Sequence, residues 1–92
     1  MKVFAIAHRS EDHTPEDFAP LLGPESEAAL KLFAEEKVRE IYSRSDGKGA
    51  LLVLEADDEE HARKILDELP MVEANMITVD IYGTKPYRGF VS

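Results

Sequence analysis

The dipeptide Asp46-Gly47 restricts the fold of this chain more than any other feature of its sequence. It lies between two runs of strand-forming residues, Val38 to Arg44 and Gly49 to Ala56. Asp-Gly favours a tight turn whose central residues take positive φ, and between alternating runs it is the strongest short-range signal for an antiparallel hairpin. The centre of the chain is therefore predicted to be a β-hairpin with a two-residue turn.

A strand and helical segments precede the hairpin. Residues 2–8 are apolar and end in a polar loop, which predicts a strand. Thr14-Pro15 predicts a helix start, because threonine caps and proline suits the first helical position. Pro20 and Gly23-Pro24 predict that this first helix is short. A second helix is then expected over residues 24–36, with acidic residues in its first turn, as the helix dipole favours.

A helix and a strand follow the hairpin. Asp57 is the predicted cap of the helix, with Glu60 as its capping-box partner. The apolar stripe of this helix is Ala62, Ile65, Leu66 and Leu69, and Leu69-Pro70 is expected to end it. Met76 to Tyr82 alternates like a strand, and residues 83–92 form a C-terminal arm. The arm concentrates basic and aromatic residues, and we expect it to wrap onto a partner subunit, to close a cavity or to be disordered.

The resulting order, β-α-β-β-α-β, predicts a ferredoxin-like α+β domain over residues 1–92. Right-handed crossovers place the helices on one face of a four-stranded antiparallel sheet. A chain of 92 residues suffices for one domain and not two.

Composition excludes several classes of function. The net charge of −8 argues against binding to nucleic acid or to an anionic membrane surface, both of which need a basic patch. With no cysteine, the chain has no disulfide or thiolate chemistry. No apolar run approaches the roughly 20 residues that span a membrane, so a cytoplasmic location is expected.

The alternation of the strands predicts two different sheet faces. One set is wholly apolar and suits the core under the helices: Val3, Ala5, Ala7, Ile41, Leu52, Leu54, Ile77, Val79 and Ile81. The other set is partly polar: Phe4, Ile6, His8, Val38, Glu40, Tyr42, Leu51, Val53, Glu55, Met76, Thr78, Asp80 and Tyr82. An apolar patch of that size usually marks an interface or a binding site, so we expect a second copy of the sheet to cover it and enclose a cavity.

These residues resemble a known family, the muconolactone isomerase-like proteins of the dimeric α+β-barrel superfamily. The resemblance runs from about residue 25 to 86 and is carried by Val38-Arg39-Glu40-Ile41-Tyr42, the hairpin, the acidic helix start, Leu69-Pro70 and Ile77-Thr78-Val79-Asp80. It implies a ferredoxin-like subunit, a sheet-to-sheet homodimer or a larger ring, and enzymes that act on small lactones without a metal or an organic cofactor.

Three residues are predicted to carry acid–base chemistry. In this topology strands one and three are predicted to be parallel neighbours, so His8, Glu40 and Glu55 are expected to converge at one end of the cavity. Neighbouring carboxylates and partial burial shift pKa values toward neutrality, so His8 or Glu40 is a candidate base for moving a proton next to a carbonyl. The alternatives are a structural hydrogen bond at His8 and ion pairs of the carboxylates with Arg39 or Arg44.

Eight further residues are predicted to line the cavity and bind a small organic ligand: Phe4, Ile6, Tyr42, Leu51, Val53, Thr78, Asp80 and Tyr82. No metal site is predicted, because His8 and His13 lack a recognised ligand spacing, and residues 57–60 lack the pattern of a calcium loop. Three functions stay open: a cofactor-free isomerase-like enzyme, a non-catalytic binder of a small ligand, and a protein-interaction module.

Overall fold

The structure is a computed structural model of the chain, and it describes residues 1–90. Val91 and Ser92, the last two residues of the predicted arm, lie outside the described residues. The elements follow in the order β1 (Lys2–Arg9), α1 (Pro15–Ala34), β2 (Val38–Ser43), β3 (Gly49–Glu55), α2 (Glu59–Leu66), α3 (Pro70–Glu73) and β4 (Ile77–Gly83).

The four strands form one antiparallel sheet in the order β2-β3-β1-β4. Its core lies on the face covered by the helices, where β1, β3 and β4 contribute Val3, Leu54 and Val79, and the helices contribute Leu32 and Leu66. The predicted ferredoxin-like α+β architecture is confirmed. Since β1 and β3 are antiparallel, the expectation that they are parallel neighbours is wrong.

The hairpin register agrees with the prediction except at its open end, whereas the predicted two-residue turn is wrong. The Gly47 N–H donates to the Arg44 carbonyl at 3.0 Å and only Gly47 of the pair takes a positive φ, so the turn is centred on Ser45 and Asp46. Tyr42 pairs with Leu51 and Glu40 with Val53, as expected. Val38 pairs with Leu54 and not with Glu55, because the register shifts between Val38 and Glu40. Such a bulge moves a side chain to the other face. Val38 is therefore 1% exposed in the helix-covered core, so its prediction for the second face is wrong.

The helical region before the hairpin is one helix, where two were predicted. Pro20 and Pro24 lie inside α1. Each lacks one N–H, so the bonds lost are those to the carbonyls of Glu16 and Pro20, near the start of the helix. Phe18 and Leu32 are buried at its two ends, and this packing holds α1 together across the prolines.

The segment between the hairpin and β4 also differs in detail. The cap of α2 is Asp58 and not Asp57, since its side chain accepts a hydrogen bond from the His61 N–H at 2.7 Å. After α2 ends, Pro70 begins the short helix α3. Asn75 takes a φ of 60° and turns the chain, so Met76 precedes β4 and is buried beside Phe18 and Met71. The prediction that Met76 lies on the second face is wrong.

The arm leaves the sheet at the end of β4. The Thr84 hydroxyl donates a hydrogen bond to the Lys2 carbonyl at 2.6 Å, which attaches the start of the arm to β1. Farther on, Tyr87 and Phe90 pack edge to face with ring centroids 4.9 Å apart. Both rings stay exposed, so within residues 1–90 the arm does not close a cavity.

Candidate functional site

The sheet face away from the helices, here the open face, carries most of the predicted site residues in cross-strand rows. One row is Tyr42, Leu51, Ile6 and Asp80, and the next is Glu40, Val53, Phe4 and Tyr82. A depression of about 520 Å³ lies over these two rows. Its lining is mainly apolar. Three of the lining side chains, Phe4, Leu51 and Tyr82, are each more than 40% exposed.

His8 lies at one end of the open face, in a chain of polar contacts. The Arg44 guanidinium lies 3.0 Å from His8 Nδ1, and His8 Nε2 lies 2.9 Å from Asp80 Oδ2. A guanidinium only donates, so Nδ1 is assigned as the acceptor and Nε2 as the donor to Asp80. Both ring nitrogens of His8 are thus occupied. Thr78, the cross-strand partner of His8, completes this end.

Gly49 lies between Arg44 and His8 in the strand pairing. It pairs with His8 across β1 and β3, and its carbonyl accepts the Arg44 N–H at 2.9 Å. A second Arg44 nitrogen donates to Asp46 at 2.6 Å. This pairing and the Lys48 N–H lower the pKa of the Asp46 carboxyl, the Lys48 hydrogen bond being the larger cause.

The two predicted carboxylates do not join His8. Glu40 accepts a hydrogen bond from the Tyr42 hydroxyl at 2.8 Å, and this bond raises the pKa of Tyr42. Glu55 pairs with Lys2 and accepts from the terminal amino group at 3.1 Å. Lys2 and His8 are six residues apart along β1, or about 20 Å. The predicted convergence is therefore wrong, because it required β1 and β3 to run in parallel.

A second cavity lies on the opposite side of the sheet, between α1 and the end of the hairpin. This helix-side cavity has a volume of about 490 Å³, within the usual range for small-molecule sites. It exists because α1 leaves the edge strand β2 partly uncovered, so that Ile41 on the helix side is 42% exposed. Its walls include Phe18, Leu22, Glu25, Ser26, Ala29, Ile41, Arg44, Met71 and Ile77.

Glu25 is the acidic side chain in the wall of this cavity. It is half-buried, and desolvation raises the pKa of its carboxyl, although a hydrogen bond from the Met71 N–H at 2.9 Å partly offsets the rise. That bond occupies Oε1, and the hydrogen bonds found within residues 1–90 give Oε2 no donor. A half-buried carboxyl with a raised pKa in an apolar cavity is a candidate acid–base group.

Sequence reasoning did not find Glu25. In the sequence, Glu25 is one of several acids of the kind favoured at a helix start after Pro24. In the continuous helix it lies in the interior of α1, where the dipole gives no reason for an acid. An acid four residues before Ala29 and three after Leu22, on the same helix face as both, was the available signal.

Other classes of site are not found in the described residues. Within residues 1–90, no three His, Asp or Glu side chains are grouped to hold a metal ion. No helix in that range is long and apolar enough to cross a membrane.

The fold is shared with known enzymes. The chain superposes on muconolactone isomerase with a TM-score of 0.77 and 17% identity, covering 100% of this chain and 96% of that one. It also matches a 5-chloro-2-hydroxyhydroquinone dehydrochlorinase from Burkholderia phenoliruptrix AC1100, solved with 2,5-dihydroxybenzoquinone, with a TM-score of 0.72, 12% identity and coverage of 97% and 98%. No protein-family model and no curated protein matches the sequence. The chain therefore has the muconolactone isomerase-like form of the ferredoxin-like α+β fold.

Proposed function

We propose that the protein is a cofactor-independent enzyme that moves a proton on a small lactone or other carbonyl compound bound in the helix-side cavity. The observation that carries the proposal is Glu25, a half-buried carboxyl of raised pKa in an apolar wall of that cavity. The acid–base chemistry predicted from the sequence is retained, but the proposed base is Glu25, on the other side of the sheet from His8 and Glu40.

Glu25 suits a reaction in which one group removes and returns a proton. Its Oε1 is held by the Met71 N–H, which fixes the carboxylate in position. The other oxygen takes a proton from the carbon next to the substrate carbonyl, and the resulting carboxylic acid returns it to a different carbon. A raised pKa helps both steps, because the carboxylate is a stronger base and the acid form is populated nearer neutral pH.

Two basic residues give the wall of this cavity positive charge. Arg44 and Arg9 both belong to its wall, and Arg9 lies over the Phe18 ring at 4.4 Å from the centroid. Removal of a proton next to a carbonyl places negative charge on the carbonyl oxygen. Fixed positive groups that face this oxygen stabilise it in the transition state.

The solved relatives support this class of substrate without identifying it. One is an isomerase named for a lactone, and the other was solved with a dihydroxybenzoquinone. Both names describe small ring compounds with a carbonyl or hydroxyl group. A cytoplasmic location and the absence of a cofactor belong to the same proposal.

The test is exchange of carbon-bound hydrogen for deuterium, followed by NMR with a panel of small lactones and hydroxyquinones in heavy water. The wild-type chain is expected to catalyse exchange on at least one compound, and Glu25→Gln to lose about 10²–10⁴-fold of that rate. Glu27→Gln is the matched control, because Glu27 is exposed on the same helix and should leave the rate unchanged. Full activity in a folded Glu25→Gln variant would disprove the role of Glu25.

A second candidate places a ligand on the open face. The observation in its favour is the His8–Asp80 pair beside Arg44, at the end of a mainly apolar depression. Covered by a second copy, this face forms the shared pocket predicted from the sequence, with His8 as its polar end. His8→Ala then abolishes turnover or binding while Glu25→Gln does not, so the same panel separates the two sites. Binding without turnover would support the non-catalytic alternative.

A further inference from the structure

Two exposed apolar patches contain none of the proposed acid–base residues, although one of them borders the helix-side cavity. The first is the aromatic hook, formed by Tyr87 and Phe90 of the arm. The second is the α1 stripe, formed by Leu22, Leu30 and Phe33. Their exposed fractions run from 53% at Phe33 to 89% at Phe90, unusually high for large apolar side chains. Exposed patches of this kind mark interaction surfaces.

The aromatic hook has a defined shape without being covered. Its rings meet edge to face at an interplanar angle of 68°, and the Phe90 N–H donates to the Tyr87 carbonyl at 3.0 Å in a 3₁₀ turn over Arg88–Phe90. Pro86 restricts the backbone before it. A hook ordered in this way loses little conformational entropy on docking, which favours binding.

The three residues of the α1 stripe lie along one side of the helix. Leu22, Leu30 and Phe33 are separated by eight and three residues, which puts them on the same side of a helix with 3.6 residues per turn. Ser26 lies between Leu22 and Leu30 on this side and is exposed. Within residues 1–90, none of the three apolar side chains is buried by its own subunit.

The charges of the two patches are complementary. The arm holds Lys85 and Arg88 and no acidic residue, although the whole chain has 19 acidic and 11 basic residues. The α1 helix carries four acidic residues and one lysine, and the exposed Glu27 lies three residues before Leu30. Opposite charges around an apolar contact steer association and fix its orientation.

The two patches belong to opposite edges of the sheet. The arm continues from β4, one edge strand, whereas α1 packs on the side of β2, the other edge strand. The subunit extends 53 Å along its longest principal axis and 26 and 21 Å along the other two axes. We propose that the aromatic hook of one copy docks on the α1 stripe of a second copy.

This contact has a direct consequence for assembly. It joins two different surfaces, so it is heterologous and links copies head to tail until a ring closes. It leaves the open face free, and it does not depend on the proposed function. Because Leu22 belongs to both the α1 stripe and the wall of the helix-side cavity, the docked hook lies beside the cavity mouth.

The contact is tested first by disulfide trapping, since the natural chain has no cysteine. An Arg88→Cys chain is mixed with a Ser26→Cys chain under mild oxidation, and the mixed disulfide is followed by mass spectrometry. A Glu60→Cys chain, with its thiol at the exposed start of α2, replaces the Ser26→Cys chain in the control. We expect trapping at least ten times faster with Ser26→Cys. Equal rates would overturn the proposal.

Charge reversal gives an independent test by light scattering of the full chain. The wild-type mass is expected to exceed that of a dimer, and Arg88→Glu to reduce it. Adding Glu27→Lys to Arg88→Glu should restore the larger mass, because the charges are then exchanged across the contact. A wild-type mass no greater than a dimer at high concentration, or an Arg88→Glu mass equal to wild type, would show that the hook does not dock.

Discussion

Burial of the Glu25 carboxyl links the stability of the protein to pH. Its pKa is raised in the folded state, chiefly by desolvation, above the ordinary value of 4.5. Between the unfolded and folded pKa values the folded chain binds more protons than the unfolded chain. The contribution of this group to the free energy of unfolding is therefore fully present below its unfolded pKa, and it is lost as the pH rises through its folded pKa.

Replacing Glu25 by glutamine should remove this pH dependence. Glutamine keeps an oxygen for the Met71 N–H but carries no charge to desolvate. We expect the free energy of unfolding of Glu25→Gln to increase relative to that of the wild type as the pH rises from 4 to 7. Urea denaturation followed by circular dichroism at several pH values measures the difference. Glu27→Gln, on the exposed side of the helix, should show no such trend; a parallel trend in both variants would contradict the burial argument.

Gly49 is the glycine whose missing side chain the sheet requires. Its φ is +151°, and a Cβ built there would lie 1.9 Å from the Ala7 carbonyl oxygen. We expect Gly49→Ala to destabilise the fold by at least about 2 kcal/mol through strain and loss of β1–β3 pairing. In Gly23→Ala, a new Cβ meets nothing within 4 Å in the helix, so stability should rise by about 0.5–1 kcal/mol. Thermal denaturation of both variants checks the contrast.

At the scale of the elements, the difference between the predicted and observed α1 shows what local signals omit. Pro20 and Gly23-Pro24 are correct as local helix breakers. The burial of Phe18 and Leu32, which holds the helix together, depends on residues of α3 and the sheet that are distant in sequence. The order of the strands along the chain and the hairpin register were predictable because alternation and Asp-Gly are local signals.

The candidate site was less predictable, for a similar reason. The rows containing Tyr42, Leu51 and Ile6 follow from alternation alone, and the structure confirms their shared face. Placing His8 and Glu55 at the same end of the sheet required the relative direction of β1 and β3. The two strands were predicted to be parallel, and they are antiparallel. Finding Glu25 required knowing that α1 is one continuous helix that passes over β2. Tertiary geometry, not residue type, decided both cases.

Pro24 offers a direct measurement of the strain that α1 tolerates. Alanine at this position would restore an N–H that can donate to the Pro20 carbonyl. We expect Pro24→Ala to stabilise the fold by about 1–3 kcal/mol, because an interior proline removes one helical hydrogen bond and crowds the preceding turn. Pro15→Ala is the control: Pro15 is at the first helical position, where the N–H has no helical partner, and little gain is expected. Equal gains in urea denaturation would contradict this explanation.

At the scale of the whole molecule, the sheet separates two tasks. Its helix side holds the cavity with Glu25, whereas its open face has apolar rings and aliphatic side chains in contact with solvent. In a monomer, the apolar side chains of the open face would stay exposed to solvent. We propose that a second copy covers it sheet to sheet, as the sequence predicts, since covering exposed apolar surface is the main driving force of association.

Leu51 lies near the centre of the open face, and Leu51→Asp tests whether this face is the dimer interface. The variant is best made in a Tyr87→Ala, Phe90→Ala background, which removes the aromatic hook from the measurement. The parent should scatter light as a dimer, and Leu51→Asp as a monomer, because a buried carboxylate opposes apolar contact. Ser45→Asp adds the same charge in the exposed hairpin turn and should remain dimeric. A dimer that persists in Leu51→Asp would place the interface elsewhere, and a parent that is monomeric at high concentration would leave the open face to a different partner.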